Sequence, residues 1–213
     1  MNRLAGTETA DPRWNWLYRI GGAAALTVLV LFLVGILGFI TPFQDNWLVV
    51  LFKLNAGLGD VQEDSLSVLN FVDVAIMTLT GTVFLALCAA LWRTNKLWPA
   101  VAASLAFLGT ALLIVTHTAG RSGLLLGGLI VSAVMLRSHI FSRASAYAGI
   151  VASALLLFAG DIGTALFGSS SIIAVVIGIG YLLWMGWFFL VGRRLLQLGG
   201  GKPSEYPSQA SDS

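Results

Sequence analysis

Apolar residues in this chain do not alternate with polar ones. They run on in blocks of about 20, and most of the charged residues fall in or at the edges of the gaps between blocks. Six such blocks are present, at approximately 19–40, 70–92, 97–118, 121–138, 144–167 and 171–192. A helix of about 20 apolar residues, rising 1.5 Å per residue, covers a hydrocarbon core of roughly 30 Å. The pattern therefore predicts an all-α fold, a polytopic membrane helix bundle with six transmembrane helices. The fourth block is the shortest.

Composition agrees. Of 213 residues, 57% are hydrophobic and 10% charged, with a mean hydropathy of +0.87. Soluble domains carry roughly 25% charged residues, and a water-soluble fold has nowhere to hide this much apolar surface. The lipid bilayer is thus the first partner implied. A net charge of +2 gives no reason to expect nucleic acid. The first block is too long for a signal-peptide core of about 7–15 residues, and it ends in Phe39-Ile40-Thr41-Pro42 rather than at small residues. It reads as a retained span. Cys88 lies inside a block and has no second cysteine to pair with, so it reads as a small buried hydrophobe.

The basic residues set an orientation. Arg3, Arg13, Arg19, Arg93, Lys96, Arg137, Arg143, Arg193, Arg194 and Lys202 fall in alternate gaps, leaving Lys53 and Arg121 for the other side. Lysine and arginine concentrate in cytoplasmic loops, so both termini are expected in the cytoplasm of a multi-pass protein of the cell inner (plasma) membrane. Residues 1–18 form a cytoplasmic N-terminal segment, 19–198 the six-helix domain, and 199–213 a disordered cytoplasmic tail rich in Gly, Ser and Pro. The first outer loop, about 41–69, is the only long connection; its piece Trp47–Phe52 is too short to span and reads as an interfacial segment or lid. Trp14, Trp16, Tyr18, Trp92, Trp98, Trp184 and Trp187 lie mostly near inner ends, as an interfacial aromatic belt would.

Helices in lipid pack through small residues. Ala102, Ala103, Ala106 and Gly109, then Gly127 and Gly128, then Ala148, Gly149, Ala152 and Ser153, then Gly178 and Gly180 mark such faces.

An ionisable residue inside a span is costly and suggests a site. Asp161 stands about six residues, or roughly 9 Å, inside the outer end of the fifth span. Asp73 lies about one turn into the second span; His117 closes the third and Arg121 opens the fourth, with Asn70 and Ser122 at the same level. Two readings stand. In one, Arg121 pairs with Asp161 or Asp73 and only joins helices. In the other, the cluster lines an outward-facing cavity for an ion, a proton or a small polar ligand.

Gly120-Arg121-Ser122-Gly123 fits the GxSG of rhomboid proteases, but the sixth span lacks the histidine base that a serine nucleophile needs. Zinc sites take three or four protein ligands, and the chain has two histidines, with His139 placed as a solvated residue in a cytoplasmic loop. No cofactor is implied. Leu125-Leu126-Gly127-Gly128-Leu129-Ile130, Met135-Leu136-Arg137-Ser138-His139-Ile140-Phe141-Ser142-Arg143 and Tyr181–Leu195 resemble elements of the bacterial six-helix membrane proteins of the domain of unknown function 4386 family. Where that family shows a Phe-Pro-Arg-like ending to the fourth-span loop, this chain has Phe141-Ser142-Arg143. The resemblance implies a bacterial inner-membrane protein without an assigned activity, and supplies no catalytic residues. The leading expectation is a non-enzymatic protein binding or conducting a small solute or proton. The alternatives are an accessory subunit packing against a partner membrane protein or a further copy of itself, and an intramembrane hydrolase.

Overall fold

The computed structural model describes residues 11–40, 66–92, 94, 96–116, 121–163 and 171–200. The segment 41–65, which holds most of the first outer loop and the whole of its Trp47–Phe52 piece expected to lie in the interface, and the tail 201–213 lie outside the described residues. Among the described residues the fold is all-helical: α1 (Asn15–Ile40), α2 (Leu66–Leu91), α3 (Leu97–Thr116), α4 (Arg121–Met135), α5 (Arg143–Leu155) running on into a π-helical stretch (Leu156–Gly163), and α6 (Ser171–Gly199).

The apolar blocks make helices because, among the described residues, no proline falls inside them beyond a first turn. Among the described residues proline is kept to first turns, where its missing N–H costs nothing: Pro99 is the third residue of α3 and Pro12 opens a 3-10 turn before α1. Three threonines inside the blocks satisfy their own hydroxyls, Thr27 donating to the Ala23 carbonyl, Thr78 to Val74 and Thr82 to Thr78.

Neighbouring helices run antiparallel, as the glycine contacts show. A Cβ on Gly21 would meet Ala86, and one on Gly22 would meet Gly192 and Leu196, so α1 runs against both α2 and α6. Gly123 faces Gly109 while Gly127 faces Ala102 and Ala106, which sets α4 against α3. Gly128 faces Ser153 and Gly149 faces Ser132, setting α5 against α4; Gly149 beside Trp187 and Gly180 beside Leu156 set α6 against α5. The chain thus closes into a ring, α6 packing on α1 as well as α5. Where hydrocarbon surrounds the protein, close backbone approach replaces the hydrophobic drive as the source of packing.

The surface of the bundle is apolar. Val30, Leu33, Leu85, Leu108, Val151, Phe158, Val175 and Leu182 are exposed, and Ile172 is 77% so. In water such a surface would bring molecules together. Four helical segments, Asn15–Val34, Val74–Leu91, Arg143–Gly160 and Val175–Gly199, are long and apolar enough to cross a membrane; Leu97–Leu112 and Ser122–Met135 are apolar but shorter. The 15 residues of α4 reach about 22 Å, short of a core of roughly 30 Å.

Several expectations are corrected. Of the supposed aromatic belt, Trp14, Trp16, Trp92 and Trp98 are exposed, but Tyr18, Trp184 and Trp187 are buried and belong to the core. Gly178 meets nothing within 4 Å, whereas Gly22 and Gly192, which the composition of the small-residue faces did not single out, bring α1 and α6 together. Cys88 is only half-buried. Helix α6 continues beyond the block 171–192 to Gly199, because Leu195 is fully buried and Arg19 Nε donates to the Gly199 carbonyl at 2.8 Å.

Candidate functional site

Five of the six residues singled out for chemistry fall at one end of the bundle. Asn70 and Asp73 are in the first two turns of α2, Arg121 and Ser122 begin α4, and Asp161 stands in the π-helical stretch that completes α5. By the antiparallel order these positions share the end away from Arg19, Arg137 and Arg194. Ser122 is exposed. The side chains of Asn70, Asp73, Arg121 and Asp161, and all of His117, lie outside the described residues.

The backbone around Asp161 is nonetheless distinctive. From Leu156 to Gly163 the helix widens to π geometry and packs against both α4 and α6, with Gly160 buried and Leu156 beside Gly180. A π turn shifts the register of every residue beyond it relative to a regular α-helix, and such turns are frequent at functional positions. Among the described residues His139, in the turn after α4, is the only histidine, and it lies at the other end of α4 from Ser122.

Two polar features lie elsewhere. The first is deep in the bundle, between α4, α5 and α6. Ser132 Oγ and Trp187 Nε1 both occupy the space a Cβ on Gly149 would need, the indole nitrogen 2.5 Å from that position. Both residues are 0% exposed, and neither polar atom has a hydrogen-bond partner among the described residues. Ser153, one turn along α5, is also buried and faces Gly128. Trp187 sits edge-on to Phe188 at 5.2 Å and tilted against Phe84 at 6.3 Å. Unpartnered polar atoms in an interior this tight are costly. The sequence offered a partial signal, the small residues Gly149 and Ser153; nothing in it told an interfacial tryptophan from a core one.

The second is a cleft of about 430 Å³ at the arginine-rich end, between the α4–α5 turn and the end of α6. The turn is tight: Ser138 Oγ donates to the Met135 carbonyl at 3.2 Å, and Ser142 caps α5, its Oγ accepting from the Ser145 N–H at 3.2 Å. Arg194 Nε donates to the Ile140 carbonyl at 2.7 Å, which fastens the turn to α6. His139 is exposed, as a loop residue would be, but it lines this cleft. Among the described residues no group of three or more His, Cys, Asp or Glu side chains gathers as a metal site would require.

Comparison with protein-family models, with curated proteins and with solved structures finds no match to this chain.

Proposed function

We propose that the chain is a polytopic protein of the cell inner membrane, crossing six times with both termini in the cytoplasm, and that its outer end takes up a small polar solute or a proton at Asp161. The supporting observation is the π-helical backbone that carries Asp161 at the end of α5. A carboxylate at this depth is expensive to keep in lipid and is retained where it meets water, an ion or a partner. The two short apolar helices supply the remaining passes, and the clustering of basic residues at the opposite end supports cytoplasmic termini. Membership of the domain of unknown function 4386 family belongs to the same proposal; it would place the protein in a bacterial membrane.

Water access at position 161 is the test. In a Cys88→Ala background, Asp161→Cys should react with a membrane-impermeant thiol reagent added outside intact cells, and Asp161→Asn should keep its expression and fold. Proteoliposomes loaded with a pH-sensitive dye should then separate a proton from another solute as cargo. Absence of labelling, together with equal loss of folded protein in Asp161→Asn and Arg121→Ala, would replace a binding site by a structural ion pair.

A second reading has one observation in its favour. Val175, Gly178, Ile179, Leu182, Gly186 and Phe189 make one exposed face of α6, and a Cβ at Gly178 or Gly186 would meet nothing within 4 Å. Small residues open to lipid on a span are what a second membrane helix packs against, as an accessory subunit would require.

A further inference from the structure

The cleft at the arginine-rich end combines two chemistries. Arg193, Arg194, His139, Ser142 and Gln197 give it a polar lining, and Leu190 from α6 with Ile140 and Phe141 from the α4–α5 turn give it an apolar one. Arg194 is already oriented, Nε on the Ile140 carbonyl and one terminal nitrogen on Gln197 Oε1 at 3.3 Å, so its fork is held in place before any ligand arrives. Among the described residues no carboxylate meets Arg193 or Arg194, and the N-terminus of α5, capped by Ser142, opens on the same space. Two guanidinium groups that meet no carboxylate among the described residues, beside hydroxyls and a helix N-terminus, match a phosphate; the apolar lining from Leu190, Ile140 and Phe141 matches a glyceride.

We propose that this cleft binds the phosphate of an anionic phospholipid, with Arg193 and Arg194 on the phosphate oxygens and the glycerol and upper acyl chain against Leu190 and Phe141. The volume is in the range of small-ligand sites, and basic pockets at the membrane surface are where anionic headgroups are held. The inference rests on the membrane reading but is independent of Asp161, so either can fail alone.

The experiment uses the full chain in detergent, with phosphatidylglycerol, phosphatidylcholine or inorganic phosphate as probe, and reads retained lipid by native mass spectrometry and thermal stability in parallel. Phosphatidylglycerol should be retained and should raise Tm, phosphatidylcholine should do neither, and Arg193→Gln should weaken retention by about fivefold. Arg194→Gln removes a structural bond as well, so Arg193→Gln and His139→Gln are the decisive variants; Arg13→Gln, at the same end but outside the cleft, should be neutral. Equal retention of both lipids, or unchanged retention in Arg193→Gln, would overturn the proposal. So would inorganic phosphate giving all of the protection, which would make the ligand a soluble anion. A rise in phosphatidylglycerol binding on deleting 201–213 would show the tail carboxylates Glu205 and Asp212 competing for the same arginines and would support it.

Discussion

Gly149 carries more of the packing than its size suggests. Its α-hydrogen face is filled by Ser132 Oγ and Trp187 Nε1, and neither residue has exposed surface into which it could retreat. Gly149→Ala should therefore cost about 1–3 kcal/mol despite the better helix propensity of alanine. At Gly178 and Gly186, where the same methyl would meet nothing, alanine should be neutral or slightly stabilising, within about 1 kcal/mol. Ser132→Ala removes an unpartnered buried hydroxyl and one of the two obstacles at Gly149, so alone it should leave stability equal or raise it by about 1 kcal/mol. In the double variant it should recover part of the Gly149→Ala loss. Denaturant titration of the solubilised protein, run as a double-mutant cycle, measures both; additive effects would mean that the three residues do not share one space. The sequence marked Gly149 and Ser153 as a close-packing face because small residues are spaced one turn apart. It could not assign Trp187 or Tyr18, since an indole or phenol near a helix end suits both headgroups and core. Only the neighbouring helices decide, as they do for exposed Trp16 and buried Trp187.

Among the elements, the ends of the helices were hardest to read. Hydropathy ends a span where charge begins, at Arg193, yet α6 continues to Gly199. The reason is tertiary. Leu195 is buried with the core, and Arg19 on α1 reaches the last carbonyl of α6, placing a cation at a helix C-terminus where the backbone dipole favours it. Arg19→Ala should loosen only the final turns, costing about 1 kcal/mol. Amide exchange should rise over 195–199 and stay unchanged over 180–190; faster exchange along the whole of α6 would mean that the extension is not a separate unit. The π-helical stretch at 156–163 was likewise hidden, because an apolar run has no signature separating α from π register. The six apolar runs themselves were plain. Uninterrupted hydrophobicity is a strong signal, and an all-helical chain with four segments of spanning length follows from it directly.

For the molecule as a whole, the antiparallel order and the positions of the basic residues bear on each other. Alternation puts the start of α1, the α2–α3 and α4–α5 turns and the end of α6 at one end, and those places hold Arg19, Lys96, Arg137, Arg143, Arg193 and Arg194. A net excess of arginine and lysine on one flank is retained on the cytoplasmic side during insertion. If six passes result, single cysteines in a Cys88→Ala background will sort into two groups. Lys96→Cys, Ser142→Cys and Gln197→Cys should react with an impermeant maleimide only after the membrane is opened, while Ser122→Cys should react in intact cells. The shortness of α4 makes this a demanding test. Its 15 residues reach about 22 Å against a core of roughly 30 Å, so the bilayer must thin beside it or the chain before Arg121 must lie below the surface. In the second case Ser122→Cys will label slowly, in the first as fast as a cysteine placed in the 41–65 loop. Labelling of Lys96→Cys and Ser142→Cys from opposite sides would mean that α3 and α4 do not both cross, and the outer placement of Asp161 would fall with them.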